Sequence, residues 1–67
     1  MKSFKPVVKV VNESKFHDNG QRFATHGEAL SAAKDIRGRW MLVTDIDVQE
    51  SDDEINYQII DNTISMI

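Results

Sequence analysis

The acidic residues in the second half of the chain offer the most concentrated chemistry in the sequence. Six carboxylates occur within ten residues without a Lys or Arg among them: Asp45, Asp47, Glu50, Asp52, Asp53 and Glu54. We call this stretch the acidic segment (residues 45–54). Carboxylates at this density could hold a hard cation, but a calcium-binding loop requires a glycine turn that this segment lacks. The segment therefore indicates a solvated face or a surface that binds a protein partner, with metal binding the least favoured interpretation.

A second group of residues suits nucleic acid. Phenylalanines are interleaved with four cations in the first half of the chain, namely Lys5, Lys9, Lys15 and Arg22. A basic sheet with aromatic stacking positions is a common way of binding single-stranded nucleic acid. However, a domain with few large side chains needs its phenylalanines for the core, and an isoelectric point near 5.1 disfavours polyanions. Nucleic-acid binding is therefore the alternative hypothesis.

Groups that could catalyse a reaction are sparse. His17 and His26 lie in or beside predicted turns, and neither adjoins a serine in a recognisable nucleophile motif. The chain has no cysteine, and it has no glycine-rich loop that could bind nucleotide phosphates. We predict a protein that is not an enzyme and that uses no metal or cofactor.

Length and charge limit the classes of protein further. A chain of 67 residues makes one domain (residues 1–67) with one small core, which leaves little apolar volume for a deep cavity. No apolar run has the length of a signal peptide or a membrane span, so the expected location is the cytoplasm. All eight Lys and Arg precede residue 41, whereas residues 41–67 carry seven acids. The folded chain should therefore have a strong dipole, or it should interleave its two halves in one sheet.

The basic residues are expected to lie on a β-hairpin. Residues 6–12 form a β-branched run that begins with proline, which suits a first strand. The sequence Asp-Asn-Gly at residues 18–20 predicts a turn, because Asn and Gly tolerate positive φ. Residues 21–24 should then return as a short strand, with Phe16 and Phe23 on either side of the hairpin.

A helix is predicted to begin near His26. Thr25 and Glu28 have the spacing of a capping box, in which each side chain bonds the backbone N–H of the other. The apolar positions that follow fall within an arc of about 120° at helical periodicity, and they are Ala29, Leu30, Ala33, Ile36 and Trp40. This arc favours the core over an interface for Trp40. The helix could end at Gly38 or continue to Trp40.

The remaining chain predicts further strands. Residues 41–49 should form a strand with Leu42, Thr44, Ile46 and Val48 towards the helix, and with Met41, Val43, Asp45 and Asp47 on the other face. Residues 55–59 alternate in the next strand, and a two-residue turn at 61–62 leads into residues 63–66. The predicted fold is α+β: an antiparallel ββαββ sheet, with or without a fifth short strand, that carries one helix on one face.

Four blocks of the sequence resemble a group of small bacteriophage and prophage proteins. They read GQRFAT at 20–25, EA at 28–29, RW at 39–40 and SDDEINY at 51–57. The relatives tend to read GxRFAT, EA, RW and SDDPVNY in the same order, with proline where this chain has Glu54. The resemblance implies a short phage protein in the cytoplasm of a bacterial host, where such proteins often inhibit host components, including restriction or CRISPR machinery. It implies no functional residues.

The leading hypothesis is therefore an interaction module, an inhibitor or modulator of a host protein. In this hypothesis, the acidic segment meets a basic patch on the partner, for example one that normally binds nucleic acid. A homodimer is a further hypothesis, because residues 63–67 are apolar and lack the Lys or Pro that usually protects an edge strand.

Overall fold

The computed structural model describes residues 2–67 and contains five strands and one helix within that range. The elements are β1 Ser3–Val10, β2 His17–Asp18, α1 His26–Arg39, β3 Val43–Ser51, β4 Tyr57–Ile60 and β5 Thr63–Met66. Strands β1, β2 and β3 form an antiparallel sheet in the order β2-β1-β3, and β4 and β5 form a separate antiparallel hairpin. The predicted α+β class is confirmed, with one helix packed on antiparallel strands that divide between two sheets.

Strand β1 begins three residues before the predicted start, so Pro6 is its fourth residue and not its first. Phe4 and Phe23 exchange two backbone hydrogen bonds of 2.8 Å on the side of β1 away from β3. Because a strand directs alternate residues to opposite sides, Pro6 also points its backbone away from β3. The missing N–H of proline therefore removes no bond from the long β1–β3 ladder.

The predicted hairpin is wrong in its second strand. The strand that pairs with β1 is His17–Asp18, which precedes the turn, and within residues 21–24 only Phe23 pairs with β1. The cause lies in the turn, where the Asp18 carboxylate accepts from the Gly20 N–H at 2.9 Å and the Asn19 side chain accepts from the Gln21 N–H at 3.1 Å. These bonds hold the backbone in consecutive turns and leave it unavailable for a strand ladder.

Helix α1 begins as the capping box predicts. The Thr25 hydroxyl accepts from the Glu28 N–H at 3.2 Å and donates to the Glu28 carboxylate at 3.0 Å. The helix ends at Arg39, and the N–H of Trp40 donates to the Ile36 carbonyl at 2.9 Å. The helix therefore continues past Gly38. Among residues 2–67, no helix combines the length and the apolar composition needed to cross a bilayer.

Three alanines make the buried stripe of the helix, and they are Ala29, Ala32 and Ala33. Ala29 and Ala33 were expected there, and Leu30 and Ile36 are half-buried. Trp40, predicted in the core, keeps 44% of its surface exposed. The prediction extended helical periodicity to Trp40, but this residue is the C-cap and has an extended backbone (φ −125°), so its side chain leaves the stripe.

The predicted faces of β3 are right at one end and wrong at the other. Ile46 and Val48 are half-buried on the helix side, as expected, but Val43 is buried whereas Leu42 and Thr44 are exposed. The register moves from Lys9↔Asp45 to Val10↔Val43, so Thr44 is an extra residue in β3. This β-bulge reverses the alternation of side chains and turns Val43 towards the core.

The β4–β5 hairpin covers one end of the core. Its turn residues Asp61 and Asn62 both have positive φ (51° and 64°), which agrees with the predicted two-residue turn. Strand β4 begins at Tyr57, two residues after the predicted start, and the Tyr57 ring packs 6.1 Å from the Phe23 ring. The buried cluster consists of Phe23, Ala29 and Ala32, with Phe4, Val48, Tyr57, Ile59 and Ile64 packed against it.

Candidate partner-binding surface

Strand β3 carries the first half of the acidic segment along an edge of the three-stranded sheet. Val48 packs in the core under the helix, so Asp45 and Asp47 lie on the opposite face, which we call the open face. Glu50 lies at the end of β3, and Asp52, Asp53 and Glu54 follow in the connection to β4. All six carboxylates belong to exposed residues. Glu50 alternates in phase with Val48, so its side chain leaves β3 on the helix side and not on the open face.

Half of these carboxylates are neutralised by cations from the first half of the chain. Lys9 Nζ lies 3.3 Å from the Asp45 carboxylate, and Lys2 Nζ lies 3.2 Å from the Glu50 carboxylate. Asp53 forms a third ion pair, with Arg22, and antiparallel pairing of β1 with β3 accounts for the first two. The two halves of the chain are therefore interleaved, as one of the two charge hypotheses predicted.

The other half of the acidic segment has no cation partner among residues 2–67, and its members are Asp47, Asp52 and Glu54. The Asp47 carboxylate instead accepts a hydrogen bond of 2.8 Å from the backbone N–H of Val48. The side chains of Asp52 and Glu54 make no hydrogen bond or ion pair within the described part of the chain. These three residues, which we call the unpaired carboxylates, give this surface its excess of negative charge.

Arg22 joins the acidic segment to the turn after β2. Its side chain is only 12% exposed, and it places Nε 2.9 Å from the Asp53 carboxylate and Nη1 3.4 Å from the Asp18 carboxylate. The hydrogen bond from Arg22, followed by one from Ser51, lowers the pKa of Asp53 below its ordinary value. The pKa of Asp18 is also lowered, mainly by the backbone N–H of Gly20 and then by the Arg22 charge. Asp53 therefore has a structural role that the unpaired carboxylates lack.

The four cations of the nucleic-acid hypothesis do not form an open basic patch. Lys5 lies 3.7 Å from the Asp18 carboxylate, Lys9 pairs with Asp45, and Arg22 holds two carboxylates. Lys9 also lies 5.6 Å from the centre of the Phe16 ring. Lys15 is exposed and makes no ion pair within residues 2–67. Three of the four charges are thus already compensated by the protein itself.

The two histidines lie in separate places. His17 Nε2 is 3.5 Å from the Glu13 carboxylate on the exposed rim of β2, and the His26 ring meets the Phe4 ring edge to face at 6.1 Å. Both histidines are exposed, and they belong to different parts of the molecule. Within residues 2–67, the structure assembles no group of three His, Asp or Glu side chains that could hold a metal ion.

An exposed apolar surface at the α1–β3 junction was missed by the sequence analysis. Met41 is 98% exposed, and Trp40, Leu42 and Val11 each expose about half of their surface. Trp40 also lines a groove of about 270 Å³ together with Ile36 and residues of β1 and β2. The only signal in the sequence was Trp40 itself, since tryptophan is enriched at interfaces, and the helical arc outweighed that signal.

Comparisons of this chain with protein-family models, with curated protein sequences and with solved structures found no match. The resemblance to small phage and prophage proteins therefore stays a prediction.

Proposed function

We propose that this chain is a small protein-binding module whose acidic segment recognises a basic patch on a protein partner. The partner we propose is a host protein in the bacterial cytoplasm, inhibited or modulated by a phage-encoded chain. The host and the phage origin come from the resemblance described above, and restriction or CRISPR machinery belongs to the range of targets that it implies.

One observation carries the proposal: the unpaired carboxylates remain after the ion pairs within the chain have formed. Six carboxylates within ten residues repel one another, and this repulsion contributes nothing to folding. A basic partner would gain from the same charges through faster association and through complementarity. Exposed pairs are individually weak, so several carboxylates acting together are needed for useful affinity.

The nucleic-acid alternative has less support from the same charges. A protein that binds nucleic acid must offer cations to phosphates, whereas Lys5, Lys9 and Arg22 are engaged by carboxylates. Binding a phosphate backbone would require breaking these pairs next to an acidic surface. Only Lys15 among the four cations is available without such a cost.

The test compares two variants with the same change in net charge. The first removes the unpaired carboxylates by Asp47→Asn, Asp52→Asn and Glu54→Gln. The matched control neutralises three carboxylates elsewhere, namely Glu13, Asp35 and Asp61, by the corresponding amide substitutions. Asp53 is retained in both variants, because its ion pair with Arg22 contributes to the fold.

Each chain is immobilised and exposed to lysates of several bacterial hosts at physiological salt, and stoichiometric partners are identified by mass spectrometry. We expect the wild type and the matched control to retain the same partner, and the first variant to lose it while its thermal unfolding is unchanged or shifted upwards. The proposal fails if no stoichiometric protein partner is recovered. It also fails if the first variant is folded and, when the experiment is repeated at low salt, retains as much of the partner as the matched control does.

A further inference from the structure

The outer edge of β3 is paired with no other strand of the described residues 2–67. In the order β2-β1-β3, this strand of nine residues has β1 on one side only. Phe4 points its backbone away from β3, so the odd-numbered residues of β1 supply the ladder, and their partners in β3 include Asp47 and Gln49. The alternate residues Ile46, Val48 and Glu50 therefore direct their N–H and C=O groups outwards.

The Val48 N–H supports this orientation independently. It donates to the Asp47 carboxylate at 2.8 Å, a bond that it could not make while pairing with β1. The carboxylate occupies the place that a carbonyl oxygen of an added strand would take. Within residues 2–67, no other backbone or side-chain group bonds the outward amides of Ile46, Val48 or Glu50.

The two faces beside this edge differ in chemistry. On the helix side, the edge presents the half-buried apolar residues Ile46 and Val48. On the open face, it presents the exposed residues Asp45 and Asp47, of which Asp47 has no cation partner among the described residues. A strand added here would place alternate side chains beside these two surfaces.

We propose that a partner adds an extended segment, with alternating apolar and Lys or Arg residues, as a fourth strand at the outer edge of β3. This inference rests on the proposed function and specifies how the basic partner is bound. The backbone of the segment pairs with Ile46, Val48 and Glu50, its apolar side chains pack beside Val48, and its cations meet Asp47. The Asp47 carboxylate then leaves the Val48 N–H and pairs with a partner cation.

A second copy of this chain is a less suitable occupant of the same edge. Antiparallel pairing of two β3 strands would bring Asp45 and Asp47 of one copy near those of the other on the open face. Like charges across adjacent strands are destabilising, whereas a basic strand converts the same positions into attractive pairs. Charge complementarity thus selects a basic segment over self-association.

The probe is a capped seven-residue peptide of alternating lysine and valine, added to the ¹⁵N-labelled full chain at low salt. We expect the amides of Ile46, Val48 and Glu50 to shift and to exchange with solvent more slowly, while the amides that pair with β1 change little. Two control peptides are used: one with its valines N-methylated to block strand pairing, and one with glutamate in place of lysine. The affinity of both control peptides should be lower by at least about tenfold, because each lacks one of the two recognition elements.

The variant Val48→Pro removes the central outward N–H without removing a bond to β1, and Val48→Ala is its matched control for the lost side chain. We expect peptide binding to be lost in the first and retained in the second. If Val48→Pro does not fold, the N-methylated peptide on the wild type answers the same question.

Equal binding of the N-methylated peptide would overturn edge pairing, as would binding that leaves the Val48 amide unprotected. If the chain alone forms a dimer as its concentration rises, and the same amides are protected in that dimer, the occupant of the edge is a second copy of the chain and not a basic segment. The proposed function is tested separately. If a host partner binds Val48→Pro as well as it binds the wild type, the proposal of edge pairing is overturned, but the acidic segment can still be the surface that binds this partner.

Discussion

The carboxylate of Glu28 accepts a hydrogen bond of 3.0 Å from the backbone N–H of Ile59. Its other oxygen accepts from the Thr25 hydroxyl at 3.0 Å, so one side chain connects the first turn of the helix with the β4–β5 hairpin. The capping box predicted that Glu28 would bond the backbone of Thr25. The structure uses part of this carboxylate for a tertiary contact instead.

Replacing Glu28 should loosen the hairpin. Because Glu28→Ala leaves the Ile59 N–H without its partner, we expect the free energy of unfolding to fall by about 1–3 kcal/mol, as measured by urea denaturation. Glu28→Gln keeps an acceptor oxygen and should cost less. Thr25→Ala is the control, since it removes the cap and leaves the Ile59 bond. The interpretation is wrong if the hydrogen exchange of the Ile59 amide is the same in Glu28→Ala as in the wild type.

Acid should destabilise the chain through Asp18 and Asp53. Both pKa values lie below the ordinary value of 3.8, so both side chains stay ionised in the folded state where the unfolded chain already takes up protons. Their contribution to stability is complete above pH 3.8 and is lost as the pH falls through the lowered folded pKa values. We expect the urea concentration at the midpoint of unfolding to fall in this window.

The same experiment on Asp53→Asn provides the control for acid unfolding. This variant lacks the ion pair with Arg22, so it should be less stable at neutral pH and should lose less on acidification. An identical pH dependence in the variant and the wild type would show that other carboxylates dominate acid unfolding.

Phe23 and Phe16 should differ sharply when each is replaced by alanine. Phe23 is 0% exposed and lies at the centre of the core, so Phe23→Ala should cost about 3–5 kcal/mol, which is enough to unfold much of a small domain. Phe16 is 38% exposed, and Phe16→Ala should cost under about 1 kcal/mol. Thermal unfolding followed by circular dichroism measures both. Equal losses of stability in the two variants would contradict the difference in burial between Phe23 and Phe16.

The turn at Asp61 and Asn62 should be sensitive to side chains that resist positive φ. Asn62 has a φ of 64°, so Asn62→Val should lower stability by about 1–2 kcal/mol, because a β-branched residue is strained there. Asn62→Gly tolerates the same backbone and should be close to neutral. If both variants have the same melting temperature as the wild type, the turn is not held in this conformation in solution.

Local signals allowed the sequence to predict the elements whose determinants lie within a few residues. The Thr25 cap, the turn after Ile60 and the helix are such cases, because each depends on neighbouring residues and on simple periodicity. The alternation of Ile46 and Val48 was predicted for the same reason. The charge distribution along the sequence also predicted, as one of two outcomes, that the basic and acidic halves of the chain would be interleaved.

Features that depend on distant partners could not be predicted in this way. The bulge at Thr44 is defined only by the register with β1, and it reversed the expected faces of Val43 and Leu42. Phe23 pairs with β1 as a single residue, which no strand pattern indicates. The candidate site was located by its composition, but the division into paired and unpaired carboxylates required the β1–β3 register.

The pairing of β1 with β3 also sets the order of events during synthesis. Val10 pairs with Val43, and Ser3 pairs with Ser51, so the central strand is synthesised well before its main partner. At about 5–20 residues per second, the interval between Val10 and Val43 is roughly 2–7 s. Until β3 is made, Val7 and Val8 can pair only with the two residues of β2, so the three-stranded sheet is completed late in synthesis.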